Sequence, residues 1–113
     1  MPVECLFCRF VSGETPVELV AQNARAVAFR DINPQAPVHV LVIPREHYAD
    51  VATLAAADPL ALADLVALAQ QVALEQADGQ YRLVFNSGPL AGQSIYHVHG
   101  HVISGRQLGW TPA

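Results

Sequence analysis

The sequence predicts an α+β fold, a mostly antiparallel sheet packed with one long helix, as a single domain over residues 1–113. Three observations carry this. The apolar runs follow the order strands, helix, strands, and strands grouped in this way pair with one another rather than through crossover helices. At 113 residues with 52% hydrophobic side chains, the chain can build one core but is too short for two. That apolar content is too high for a disordered chain, and no repeat, linker or low-complexity stretch divides it.

Each element has its own signal. Residues 16–31 read as two short strands: Val17, Leu19 and Val20 begin the first, Gln22-Asn23 marks a turn, and Ala26-Val27-Ala28-Phe29 forms the second. Asn33-Pro34-Gln35-Ala36-Pro37 is a loop, because its prolines remove ladder donors and restrict the residues before them. Val38 to Ile43 is a β-branched, apolar strand broken only by His39, and Pro44-Arg45 ends it. Asp58 caps the long helix with Pro59 at its first position. Leu60, Leu62, Leu65, Val66, Leu68, Ala69, Val72 and Ala73 form its apolar stripe, and Asp78-Gly79 closes it. Tyr81 to Asn86 is a further strand, Ser87 to Gln93 a glycine-containing loop, and Ser94 to Ile103 the last strand.

Composition narrows the function. A net charge of −4 gives no reason to expect binding to a nucleic-acid backbone. All six basic residues are arginine, which excludes a lysine Schiff base or lysine adenylate. Met1-Pro2-Val3-Glu4 has neither the basic nor the apolar region of a signal peptide. The greasy stretch from Leu60 to Leu74 is interrupted by Asp64, Gln70 and Gln71 and is too short to span a bilayer. The expectation is a cytoplasmic protein with no membrane partner. In that compartment Cys5 and Cys8 are not expected to form a structural disulfide, which leaves metal ligation or a redox pair. The C-x-x-C spacing lets two thiolates meet one tetrahedral metal, but two ligands do not make a site, and a reduced pair without metal remains the alternative.

Chemistry concentrates in Tyr96-His97-Val98-His99-Gly100-His101-Val102-Ile103. Strand side chains repeat with period two, so His97, His99 and His101 would project from one face about 6–7 Å apart. Tyr96, Val98 and Val102 on the other face are then free to pack on the helix. Two readings follow: the imidazoles chelate a catalytic metal, or one attacks a phosphorus while others bind the anion. The upstream loop Gly88-Pro89-Leu90-Ala91-Gly92-Gln93-Ser94 favours phosphate, since it has few obstructing side chains and can present backbone N–H groups to an anion. The Ser94 hydroxyl could donate to a leaving group or a phosphate oxygen.

The run Gln93-Ser94-Ile95-Tyr96-His97-Val98-His99-Gly100-His101-Val102-Ile103 resembles the His-φ-His-φ-His-φ-φ signature of the histidine triad superfamily, where φ is hydrophobic. The likeness extends through Ala28-Phe29-Arg30-Asp31-Ile32, Pro34-Gln35-Ala36-Pro37-Val38-His39, Leu41-Val42-Ile43-Pro44 and Gly105-Arg106-Gln107 with Trp110. In order and coverage these blocks look like the Hint branch, the purine nucleoside phosphoramidases. The resemblance implies that His99 attacks the α-phosphorus of a purine nucleoside phosphoramidate and forms a nucleotidyl-histidine that water hydrolyses. It implies that His101 bonds a phosphate oxygen or the bridging atom, that His39 supports that end of the site, and that Ser94 assists protonation of the leaving amine. Backbone N–H groups around Gly92, Gln93 and Ser94 would steady the phosphate, and Asn86 would orient ribose and phosphate. Asp31 would grip the ribose hydroxyls, its plainer alternative being a turn residue. Phe29 and Ile32 would wall the purine, or else belong to an ordinary core.

The resemblance also implies zinc held by Cys5, Cys8, His47 and His97, in a structural role that leaves His99 and His101 for catalysis. It implies a homodimer with a joined sheet, which an apolar helix stripe wider than one small sheet can cover would favour. Trp110 would shape leaving-group specificity from the partner's site or anchor the tail on its own subunit. Gly100 departs from the pattern, which usually has a bulky hydrophobic residue there, and leaves a gap for a neighbour to fill. Two rival functions remain: a purine-nucleotide-binding regulatory protein with incidental hydrolysis, and a catalytic metal centre built on the triad.

Overall fold

The computed structural model describes residues 5–110. Its elements are helix α1 (Leu6–Ser12), strands β1 (Leu19–Gln22), β2 (Ala26–Arg30) and β3 (Val38–Pro44), helices α2 (Val51–Ala57) and α3 (Pro59–Ala77), strand β4 (Arg82–Phe85), a 3₁₀ turn (Pro89–Ala91) and strand β5 (Gly100–Ser104). The five strands form one sheet in the order β1-β2-β3-β5-β4, with every neighbouring pair antiparallel. The architecture is therefore α+β, as the order of apolar runs predicts. Among the described residues no helix is long and apolar enough to cross a membrane.

The period of the strands divides the interior into two clusters. Ala26, Ala28, Val40, Val42, Val98 and Val102 face α3 and meet Leu65, Leu68 and Val72. Val27, Phe29, Leu41 and Ile43 face the other way, onto Phe7, Cys5 and Cys8 around α1. Because β3 lies between β2 and β5 and is buried along its whole length, it reads as a continuous apolar run rather than an alternating one. The register pairs Leu41 with His101 and His39 with Ile103, so His39 and His101 share the face turned to α1.

Helix α3 starts and stops where its capping residues place it. The Asp58 carboxylate accepts from the Ala61 N–H at 3.1 Å, and the Gly79 N–H closes on the Ala73 carbonyl at 2.9 Å after Asp78 turns left-handed. Its buried stripe is narrower than the sequence suggests: Ala61, Leu65, Leu68, Ala69, Val72 and Ala73 are covered, while Leu60 and Val66 are exposed. The one long helix is α3, and two short helices that the sequence did not signal join it. Helices α1 and α2 are seven residues each, too short for an apolar period to show, and each is set by a cap. Cys5 Sγ accepts from the Cys8 N–H, and Asp50 accepts from the Thr53 N–H.

The last strand is shorter than the predicted 94–103. Only residues 100–104 enter the ladder. Continuing the β3–β5 register beyond Val42↔Gly100 would set Val98 opposite Pro44, which has no N–H to give. The Val98 N–H turns instead to the Tyr48 carbonyl at 2.8 Å. Tyr96 remains exposed rather than packing on α3. At Gly100 the expected gap is filled by neighbours, since a Cβ there would lie 2.8 Å from Leu83 Cδ1 and 3.2 Å from the Phe85 ring.

Candidate active site and metal cluster

The three triad rings stay on the α1 side of the sheet although only His101 belongs to a strand. Phe7 explains how. Its buried ring stands edge-on to His97 at 5.9 Å and to His99 at 5.3 Å between centroids, and it continues to Phe29 at 5.4 Å. Sequence reasoning passed over Phe7. Its one signal was its place inside the C-x-x-C pair, which draws the eye to sulfur rather than to the ring between.

Each triad histidine has one ring nitrogen fixed by a neighbour. His97 Nε2 donates to the Pro44 carbonyl at 2.9 Å, which leaves Nδ1 as a lone pair. That Nδ1 lies 3.3 Å from Cys5 Sγ and 3.5 Å from Cys8 Sγ. His99 Nδ1 donates to the His97 carbonyl at 3.0 Å, since a carbonyl can only accept, and its Nε2 is left unprotonated in the neutral ring. His101 sits beside it, ring centroids 5.1 Å apart, with Nδ1 2.9 Å from His39 Nε2. Burial, helped by the neighbouring His99 and His39, lowers the pKa of His101 to about 4, so this ring is neutral at pH 7. His97, lowered to about 4 chiefly by burial, is neutral as well.

His39 is buried under the 33–37 loop, its Nδ1 accepting from the Gln35 N–H at 3.0 Å. Asp31 acts first as the turn residue: one carboxylate oxygen accepts from the Asn33 N–H at 2.8 Å, and the other lies 3.4 Å from His39 Nε2. Phe29 is buried, packed edge-on between Phe7 and Phe10. Ile32, in contrast, is fully exposed, so an ordinary core position describes Phe29 and does not describe Ile32.

The loop between β4 and the triad is braced by two side-chain amides. Gln93 is buried; its Oε1 accepts from the Gly88 N–H at 2.9 Å and its Nε2 donates to the carbonyls of Ala49 and Ile95. Asn86 donates to the Ala91 carbonyl at 2.9 Å. Gly88 and Gly92 take the positive φ angles of 87° and 89° that the turn requires. Ser94 follows, exposed. The Gln93 side chain thus holds the loop. The tail leaves this region: Arg82 donates to the Gly109 carbonyl, and Trp110 is exposed rather than anchored on its own subunit.

Cys5, Cys8, His47 and His97 place four ligand atoms within 4.8 Å of one another. His47 Nδ1 lies 3.4 Å from Cys8 Sγ. Two thiols and two imidazoles at these separations suit a tetrahedral site for zinc, at metal–sulfur and metal–nitrogen lengths near 2.3 and 2.0–2.1 Å. The His97 Nε2–H bond to Pro44 is the outer contact that aims Nδ1 inward. Burial, with the Cys5 thiol beside it, pushes the Cys8 thiol up to about 11, and a dication is the partner that would hold such a thiol as thiolate.

A HIT domain model matches residues 12–108, and the chain belongs to the HIT domain family. Among solved structures it is similar to a HIT family hydrolase from Legionella pneumophila Philadelphia 1, at 40% identity over 97% of this chain and 100% of that one, with a TM-score of 0.90. A histidine triad nucleotide-binding protein from Candida albicans is 27% identical, over 97% of this chain and 85% of that one, with a TM-score of 0.80. The 14 kDa zinc-binding protein of Zea mays is 39% identical, covering 95% of this chain and 86% of its own length.

Proposed function

We propose that the protein is a nucleotide hydrolase that cleaves the P–N bond of purine nucleoside 5′-phosphoramidates through a nucleotidyl-histidine on His99. The observation that carries this reading is the His99 hydrogen bond: with Nδ1 donating to the His97 carbonyl at 3.0 Å, the lone pair is on Nε2, on a half-buried ring beside neutral His101. The hydrolase and nucleotide-binding names of the relatives support the class.

In this reading His99 Nε2 attacks the α-phosphorus while the P–N bond breaks, and the leaving amine takes a proton, with the exposed Ser94 hydroxyl assisting. His101 binds a phosphate oxygen, and the N–H groups around Gly92, Gln93 and Ser94 bear on the charge that grows there. Water then attacks phosphorus, releasing the nucleoside monophosphate and restoring His99. Asp31 and Asn86 orient the ribose, His39 stands behind His101, and Phe29 and Ile32 lie toward the purine. Cys5, Cys8, His47 and His97 hold zinc; when bound, it ties α1 to the triad segment as a closed, four-ligand structural site.

The same reading includes a cytoplasmic homodimer. Strand β4 is a sheet edge with no neighbour on its outer side among the described residues, and exposed Leu60, Val66 and Leu74 lie along α3. A second copy extending the sheet would cover both, and exposed Trp110 would then reach the partner's site. The test of the chemistry is trapping. Incubation with a slowly cleaved adenosine phosphoramidate should give a nucleotidyl adduct that mass spectrometry of peptides assigns to His99, and an adduct elsewhere or none during turnover would sink the reading.

A further inference from the structure

Cys5 and Cys8 are two buried free thiols that the proposed hydrolysis does not use. We propose that they form a reversible thiol–disulfide site, oxidised by a small disulfide of the glutathione type, and that the bridged pair cannot hold zinc. The exclusion of zinc rests on the zinc reading above; the bridge itself does not.

The two sulfurs already converge. Cys5 Sγ folds back to accept from the Cys8 N–H at 3.2 Å. Both sulfurs also bear on one atom, His97 Nδ1, at 3.3 Å from Cys5 and 3.5 Å from Cys8, and they lie within 4.8 Å of each other. A disulfide needs sulfurs about 2.0 Å apart on Cα atoms about 4.4–6.8 Å apart. Residues three apart in a helical turn have Cα atoms about 5 Å apart, so side-chain rotation closes the bond and the backbone stays in place. Access differs between them: Cys5 is 9% exposed and Cys8 3%, so an incoming disulfide meets Cys5 first.

The exchange runs in two displacements. Cys5 Sγ, having lost its proton, attacks one sulfur of the small disulfide; that S–S bond breaks and the expelled sulfur takes up a proton. Cys8 Sγ, likewise deprotonated, then attacks Cys5 Sγ, breaks the mixed disulfide and expels the second small thiol. Two cysteine thiols are oxidised, one small disulfide is reduced to two thiols, and both protons end on those thiols. Zinc takes cysteine as thiolate. Bridged sulfurs carry no such charge, and His47 and His97 alone fill two of four positions. Oxidation therefore unties the sulfurs at the start of α1 from His97 and leaves the Phe7 ring, edge-on to His97 at 5.9 Å, between the two segments.

The test treats the zinc-loaded, full-length chain with excess glutathione disulfide at pH 7 in the presence of a zinc-reporting dye. One zinc per chain should be released as the bridge forms, and dithiothreitol with added zinc should reverse both changes. Trypsin cuts after Arg9, so one peptide carries both cysteines; it should be lighter by two hydrogens and carry no glutathione. Excess free zinc should slow the bridge at least about tenfold. Cys8→Ser should stop at a stable glutathione adduct on Cys5, and the unaltered protein decides the bridge if that variant does not fold. Glutathione on both cysteines without a bridge would overturn the proposal, as would no reaction with zinc chelated. A bridged protein that keeps its zinc would overturn the exclusion. If the unaltered chain takes up no zinc before treatment, the zinc reading and the exclusion fall together, while the peptide mass still decides the bridge.

Discussion

A single lone pair, on Nε2 of His99, is the smallest feature on which the proposed chemistry depends. Removing it in His99→Ala should lower kcat for a phosphoramidate by about 10⁴-fold or more, while calorimetry still detects nucleotide binding. A wild-type rate in that variant would leave the protein as a nucleotide binder. His101 gives a second residue-scale prediction. Its folded pKa is about 4 against an ordinary 6.5, with burial the main cause. As pH falls from about 6.5 to 4 the unfolded chain takes up a proton that the folded chain refuses, so stability present above 6.5 is lost through that window. Urea unfolding at pH 7 and pH 4.5 should show this loss, and His101→Asn should reduce it. Equal pH dependence in the two proteins would place the acid sensitivity elsewhere.

At the scale of elements, the close packing of β4 against β5 replaces the bulky residue that the family pattern carries at position 100. Leu83 and Phe85 occupy that space, so Gly100→Ala should destabilise by about 1–2 kcal/mol through overpacking. Because the nearest atom is the end of a flexible side chain, pairing it with Leu83→Ala should recover part of that loss, and strictly additive costs would count against the packing account. The loop before the triad depends on Gln93 in a different way. Gln93→Ala removes the anchor to Ala49, Ile95 and Gly88 and, on the proposed mechanism in which the loop N–H groups act on transition-state charge, should lower kcat more than it raises KM. A pure KM effect would show that the loop serves binding instead.

For the molecule as a whole, the Cys5-Cys8-His47-His97 cluster joins two parts of the chain far apart in sequence, with Cys5 and Cys8 at one end and His97 at the other. Chelation, or Cys8→Ser, should release zinc and lower the melting temperature by about 10 °C or more. Hydrolysis should persist in the folded, metal-free protein below that temperature. Complete loss of activity without unfolding would instead support a catalytic metal. Sedimentation that finds only monomers at micromolar concentration would remove the joined sheet and the trans role of Trp110 together.

Much of this was legible in the chain. The capped start of α3 at Asp58-Pro59, the apolar run of β3 and the alternation of His97, His99 and His101 are local signals, set by backbone geometry within a few residues, and so is the C-x-x-C spacing. What sequence could not supply is the environment of each group. The end of β5 at Gly100 was decided by Pro44, whose missing N–H matters only once the two strands lie side by side. The choice between lone pair and proton on His97 and His99 was made by the carbonyls of Pro44 and His97. Most of these are backbone atoms that every residue possesses and no motif records. Residue types and spacing determine which groups can ligate or attack; which nitrogen does so depends on contacts between distant segments, and those exist only in the folded chain.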